Sequence, residues 1–195
     1  MRDGELSFGA CGIALKEWSG ICCALGDGRQ TILLRKGGVA EENGVFRPEH
    51  PRFWLYPTQV HEQQQGLRDG TLDQSTRSST NSVFLDLLAE VQRVWWVDRL
   101  ELVNAISEFH IWTEDTIRKR FDYRRPGLWV LAIRVYRSNE GRQIPELPQY
   151  AGCKSWVPLD VEIPMEGLAP VLNQEQSRTR LESLASVIAT RREVN

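Results

Sequence analysis

The chain has 195 residues, 41% of them hydrophobic and 26% charged, with a formal net charge of −2; this excludes wholesale disorder and gives length enough for one substantial domain. No apolar run approaches the roughly 18 residues that a membrane helix needs, and the N-terminal MRDGELSFGACGIALKEW lacks the apolar stretch of a secretory signal. Cys11, Cys22, Cys23 and Cys153 form no CxxC pair, which disfavours structural zinc and fits reduced thiols in a cytoplasmic protein.

In chain order, Ser19–Ala24 and Thr31–Arg35 read as short apolar strands joined across Gly26-Asp27-Gly28, a hairpin signal. Gly37-Gly38 ends the second strand and Glu41–Gly44 is a polar turn. Phe53–Tyr56 is a third strand, stopped by Pro57, with a short helix expected over Gln59–Gln65. These elements make a β-rich first half over residues 13–65. Residues 66–82, rich in Gly, Ser, Thr and Asp, read as a flexible linker with little apolar surface to bury.

The second half spans residues 83–160. Val83–Val97 is a long bent strand or a hairpin, although Leu87-Leu88-Ala89 also permits helix. Asp98, with Glu101 three residues on, has capping-box spacing and predicts a helix over Arg99–Phe109. Thr113 is a second N-cap, for a helix through Thr116–Asp122 that Arg124-Arg125-Pro126-Gly127 breaks. Leu128–Tyr136 is too continuously apolar for an edge and predicts an interior strand. Ser155-Trp156-Val157 is a short final strand. Asn173 caps a terminal helix over 173–193, whose apolar stripe is Leu181, Leu184, Val187 and Ile188. The sum is an α+β protein with a largely antiparallel sheet, packed helices and two half-domains sharing a core.

Six ordered blocks carry a resemblance: ALKEW (Ala14–Trp18), LLRKGGV (Leu33–Val39), EHPRFWLYPTQVHE (Glu49–Glu62), FHIWTEDTIRKRF (Phe109–Phe121), LAIRVYR (Leu131–Arg137) and YAGCKSW (Tyr150–Trp156). Together they resemble the uncharacterised bacterial family known as domain of unknown function 1802. The resemblance implies a nucleic-acid context, among restriction–modification components, and brings no catalytic residue set with it.

Charge is unevenly spread. From Arg118 to Arg142 eight cations face only Asp122 and Glu140, so this stretch carries +6 and the remaining positions −8. Arg118, Lys119, Arg120, Arg124 and Arg125, interleaved with Trp112, Tyr123 and Trp129, suit phosphates and stacked bases. The alternative is a solvated helix face paired with acids elsewhere. Arg35 and Lys36, before Gly37-Gly38, are a second candidate anion contact, without the spacing of a P-loop.

A hydrolase is the competing reading. His50, His61 and His110, with Glu62 or Glu108, are candidates for proton transfer or for a divalent metal if the halves bring them together. Glu17, Asp86, Glu90, Glu108 and Asp115 are the acids a metal-dependent nuclease would draw on, and Cys153 beside Lys154 is a candidate nucleophile. No cofactor motif is evident. Trp54 and Trp112 are candidates for lining a cleft, and Trp95, Trp96, Trp129 and Trp156 for the core. Nucleic acid is the partner the sequence favours, and oligomeric state is open.

Overall fold

Long strands whose side chains divide between two apolar clusters let one sheet bury both of its faces. The computed structural model describes residues 9–36, 48–58, 66–68, 81–152 and 154–190. The strands are β1 (Ala10–Trp18), β2 (Ile32–Arg35), β3 (Arg52–Thr58), β4 (Ser82–Val97), β5 (Leu128–Pro145), β6 (Trp156–Pro164) and β7 (Leu168–Pro170). They form one sheet in the order β2-β5-β4-β3-β1-β6, with β7 also paired to β5. Only β1 and β3 run parallel; the other pairs are antiparallel. The fold is α+β, and the sheet interleaves the two sequence halves, since β2 pairs with β5 and β3 with β4.

Alternation sorts the side chains. On β3, Phe53 and Leu55 face one core while Trp54 and Tyr56 face another. On β4, a register shift between Leu85 and Leu87 breaks the alternation, so Leu85 and Leu88 share a face, as do Leu87 and Ala89. The first core takes helices α1 (Ser19–Gly26), α2 (Leu100–Ala105), α3 (Glu114–Asp122) and α4 (Gln174–Thr190). The second core takes no α-helix: Ala14, Trp54, Leu88, Tyr136 and Ile163 come from β1, β3, β4, β5 and β6, and Tyr150 from a 3-10 turn over Pro148–Tyr150. Strands β5 and β6 are separated by three others, so the sheet must curl around this face to bring Tyr136 and Ile163 into one cluster.

Ser19–Ala24 is not a strand: it lies in helix α1, and the expected hairpin is absent. Seven of its eight residues are buried, so no polar face marks the helical period, and a short apolar run carries no signal to tell helix from strand. Gly26-Asp27-Gly28 ends this helix instead. Arg29 N–H donates to Ala24 O at 2.9 Å and Gly28 N–H to Leu25 O at 3.2 Å, a Schellman closure with Gly28 at φ 71°. Strand β1 is an element that sequence reading does not delimit, although it contains the ALKEW block.

The Asp98 capping box also fails. Arg99 is the N-cap, without a side-chain cap bond, and α2 ends at Ala105 before a 3-10 turn over Ser107–Phe109. By contrast Thr113 caps α3 by accepting from Thr116 N–H, and Asn173 and Gln176 exchange reciprocal cap bonds of 2.9 and 3.0 Å. Strand β4 runs unbroken through Leu87-Leu88-Ala89, and Leu128–Tyr136 belongs to an interior strand that extends to Pro145.

The expected strand end at Gly37-Gly38, turn at Glu41–Gly44 and helix at Gln59–Gln65 lie outside the described residues, as do positions 69–80 of the expected linker. That linker is not wholly detached. Leu67 bridges to Trp112, Gly66 O accepts from Thr113 N–H at 3.0 Å, and the Arg68 guanidinium donates to the carbonyls of Ser107 and His110. Among the described residues no helix is long and apolar enough to cross a membrane.

Candidate functional site

Helix α3 divides its cations between two sides. Thr116, Ile117 and Phe121 are buried. Arg120 follows Thr116 and Ile117 at the i+4 and i+3 positions, on the same inward stripe. Its guanidinium lies 3.9 Å from the Trp112 ring centroid and 4.4 Å from that of Trp18. The two indoles are themselves 4.4 Å apart at 46°. It also donates to Leu34 O at 3.3 Å. Burial draws the Arg120 pKa down to about 10, with Glu17 opposing the shift and Arg35 adding to it, so the group keeps its proton at neutral pH.

Arg35 continues this cluster. It pairs with the buried Glu17 carboxylate at 3.2 Å, donates to Ser155 Oγ at 2.6 Å and to Lys16 O at 3.1 Å. Glu17 Oε1 in turn accepts from Trp18 N–H at 3.0 Å. Strand β1, the end of β2 and the residue before β6 are thereby tied to α3. Lys36 is also occupied: its ammonium donates to the carbonyls of Phe121, Arg125 and Gly127, closing the C-terminal end of α3. Burial, with Arg125 nearby, lowers its pKa. These three cations hold protein groups rather than facing solvent.

The outward side is different. Arg118, Lys119, Arg124 and Arg125 are exposed, and no salt bridge engages any of them among the described residues. Arg137 is spent on Asp86 at 3.0 Å, and Arg134 lies against Tyr136 at 5.3 Å. Apart from the exposed Arg142, the positive charge this stretch leaves open is thus concentrated at the C-terminal half of α3 and the turn after it. In that turn Arg124 has φ 64°, and Arg125 N–H donates to Tyr123 O at 2.9 Å. This is a γ-turn of the strained left-handed kind. Tyr123 stands at its shoulder with 45% of its surface exposed. The Arg124 guanidinium is 5.2 Å from the tyrosine ring, and that of Arg125 is 4.9 Å from Trp96. Trp96 meets Trp129 edge-on at 5.3 Å, anchoring the turn on β4 and β5.

The candidate hydrolytic groups are not gathered in this way. His61, Glu62 and Cys153 lie outside the described residues. His50 packs edge-on against Trp156 at 4.8 Å. His110 is buried, and its Nδ1 accepts from Trp112 N–H at 3.2 Å. Burial, reinforced by Arg68, lowers its pKa to about 3, so it is neutral. Among the acids, Glu17, Asp86 and Glu90 each face a different arginine, Glu90 pairing with Arg52 at 2.8 Å. Glu108 and Asp115 are exposed. Among the described residues no group of three His, Cys, Asp or Glu is arranged to hold a metal ion. Trp54 and Trp112 do not line a cleft, because each is only 1% exposed.

Sequence reasoning overlooked Trp18 and Ser155, which reach the cluster from remote parts of the chain and carry no local signal. It counted Arg120 with the exposed cations, although the helical spacing from Thr116 and Ile117 places it inward.

A family model described as "Domain of unknown function (DUF1802)" matches residues 14–183. No curated protein matches. Among solved structures, the ASCH protein from Zymomonas mobilis aligns at 14% identity over 88% of this chain and 94% of its own, with a TM-score of 0.41. A serine-to-alanine mutant of that protein aligns at 14% identity over the same shares, with a TM-score of 0.43.

Proposed function

Because the chain belongs to the family of domain of unknown function 1802, whose description assigns no activity, we propose from its surface that it is a nucleic-acid-binding accessory protein. The observation that carries this reading is the segregation of α3. Its inward cation, Arg120, is consumed by protein partners, whereas Arg118, Lys119, Arg124 and Arg125 remain exposed and without salt bridges among the described residues. They lie on one helix half and its turn, in a chain whose remaining positions are acidic. Such a patch neutralises phosphates at one face while the overall negative charge discourages indiscriminate adhesion elsewhere.

The test is a fluorescence-anisotropy titration of the full chain against labelled DNA and RNA oligonucleotides at two salt concentrations. Replacing Arg118, Lys119 and Arg124 with Ala should reduce the slope of log affinity against log salt by about 0.7–0.9 per lost phosphate contact. The thermal melt should barely move, since exposed charges contribute little to stability. Absence of low-salt binding to DNA and RNA alike would overturn the proposal.

A further inference from the structure

We infer that the ligand of this surface is a single-stranded nucleic acid, gripped by stacking of a base on Tyr123; the inference rests on the nucleic-acid reading above. Tyr123 and Val161 are the exposed large hydrophobic residues among those described, and Tyr123 alone of the two sits within the basic patch. A tyrosine ring left 45% open on a turn gains little from burial there and offers a flat apolar face to a partner. Tyr123 carries one cation, Arg124 at 5.2 Å, and stays exposed, whereas Trp96 is half-buried, with Arg125 at 4.9 Å, Lys36 at 5.9 Å and Trp129 edge-on at 5.3 Å, and cannot serve.

The backbone fixes that arrangement. The left-handed conformation at Arg124 and the Arg125 N–H to Tyr123 O bond accompany a guanidinium that lies over one face of the ring, 5.2 Å from its centroid. Gly127, at φ 126°, lets the chain pass so close to Trp96 that a Cβ would come within 2.3 Å of the indole. The turn is therefore held against β4, with the tyrosine on its outer side. A base stacked on Tyr123 would place its flanking phosphates beside Arg124 and, one helical turn back, Lys119. In a duplex, base faces are already stacked on one another, so a protruding ring has no face to meet. Single strands present theirs freely.

The experiment compares three labelled probes against the full chain: (dT)15, (rU)15 and a 15-base-pair duplex. Both single strands should bind more tightly than the duplex, and the two of them together separate DNA from RNA as the source. Tyr123→Ala should weaken single-strand binding by about 5- to 150-fold, while Tyr123→Phe, which keeps the ring, should bind like the parent. Neither change should alter the circular dichroism melt, because the ring is exposed. Duplex binding as tight as single-strand binding, or unchanged affinity in Tyr123→Ala, would overturn the stacking inference. In those cases salt-dependent binding lost in the Arg118, Lys119, Arg124 variant would leave the broader proposal standing. If none of the probes binds, the broader proposal falls and this one with it.

Discussion

Arg120→Ala gives the sharpest separation between structural and surface cations on one helix. The guanidinium meets two indole faces at 3.9 and 4.4 Å and a backbone carbonyl at 3.3 Å. Cation–π contacts shielded from water contribute up to about 2 kcal/mol each, and a charged hydrogen bond about 1.5–3 kcal/mol. The cost of desolvating the guanidinium, visible in its lowered pKa, cancels part of this. Truncation also leaves a gap beside the touching Trp18 and Trp112 rings. We expect a net loss of about 2–4 kcal/mol, in the range of severe core lesions. Lys119→Ala, one position away and exposed, should change stability by less than about 0.5 kcal/mol. Urea unfolding followed by circular dichroism reads both. Arg120→Lys should recover only a fraction, because an ammonium has no planar face to lay against the two rings. Equal midpoints for the Arg120 and Lys119 variants, at unchanged m, would refute the inward assignment and return Arg120 to the surface patch.

Two further expectations concern the core. His110, with its pKa lowered to about 3 against an ordinary value of 6.5, binds its proton more readily in the unfolded chain. Stability should therefore fall as pH drops from about 6.5 toward 3, by up to about 1.4 kcal/mol per pH unit. His110→Asn retains an acceptor for Trp112 N–H and should flatten that dependence; an equally steep profile in the variant would assign it to other groups. Leu131→Asp, on interior strand β5 with no exposed surface, should cost several kcal/mol through an unpaired buried charge. A melting temperature equal to the parent's would contradict the strand's placement.

The amino-acid sequence by itself determined those elements whose signal is local. Thr113 and Asn173 cap helices because each side chain reaches a backbone N–H three residues on. Leu128–Tyr136 is a buried strand because its apolar, β-branched run leaves no polar face. The six sequence blocks sufficed for family membership, and the clustering of positive charge after Arg118 was countable. Tertiary structure decided the rest. Gly26-Asp27-Gly28 suits a hairpin and a helix end equally. The burial of Ile21, Ala24 and Leu25 against the sheet selects the helix. Whether a cation is spent or free depends on partners distant in sequence: Arg35 on Ser155, 120 residues away, and Lys36 on Gly127, 91 away. Arg120 shows both sides of that division. Its inward position was readable from helical spacing, yet the two tryptophans that hold its charge, Trp18 at the end of β1 and Trp112 before α3, lie far apart in the chain and meet only in the fold. Chain order encodes no such meeting; packing of the helices on the curled sheet creates it.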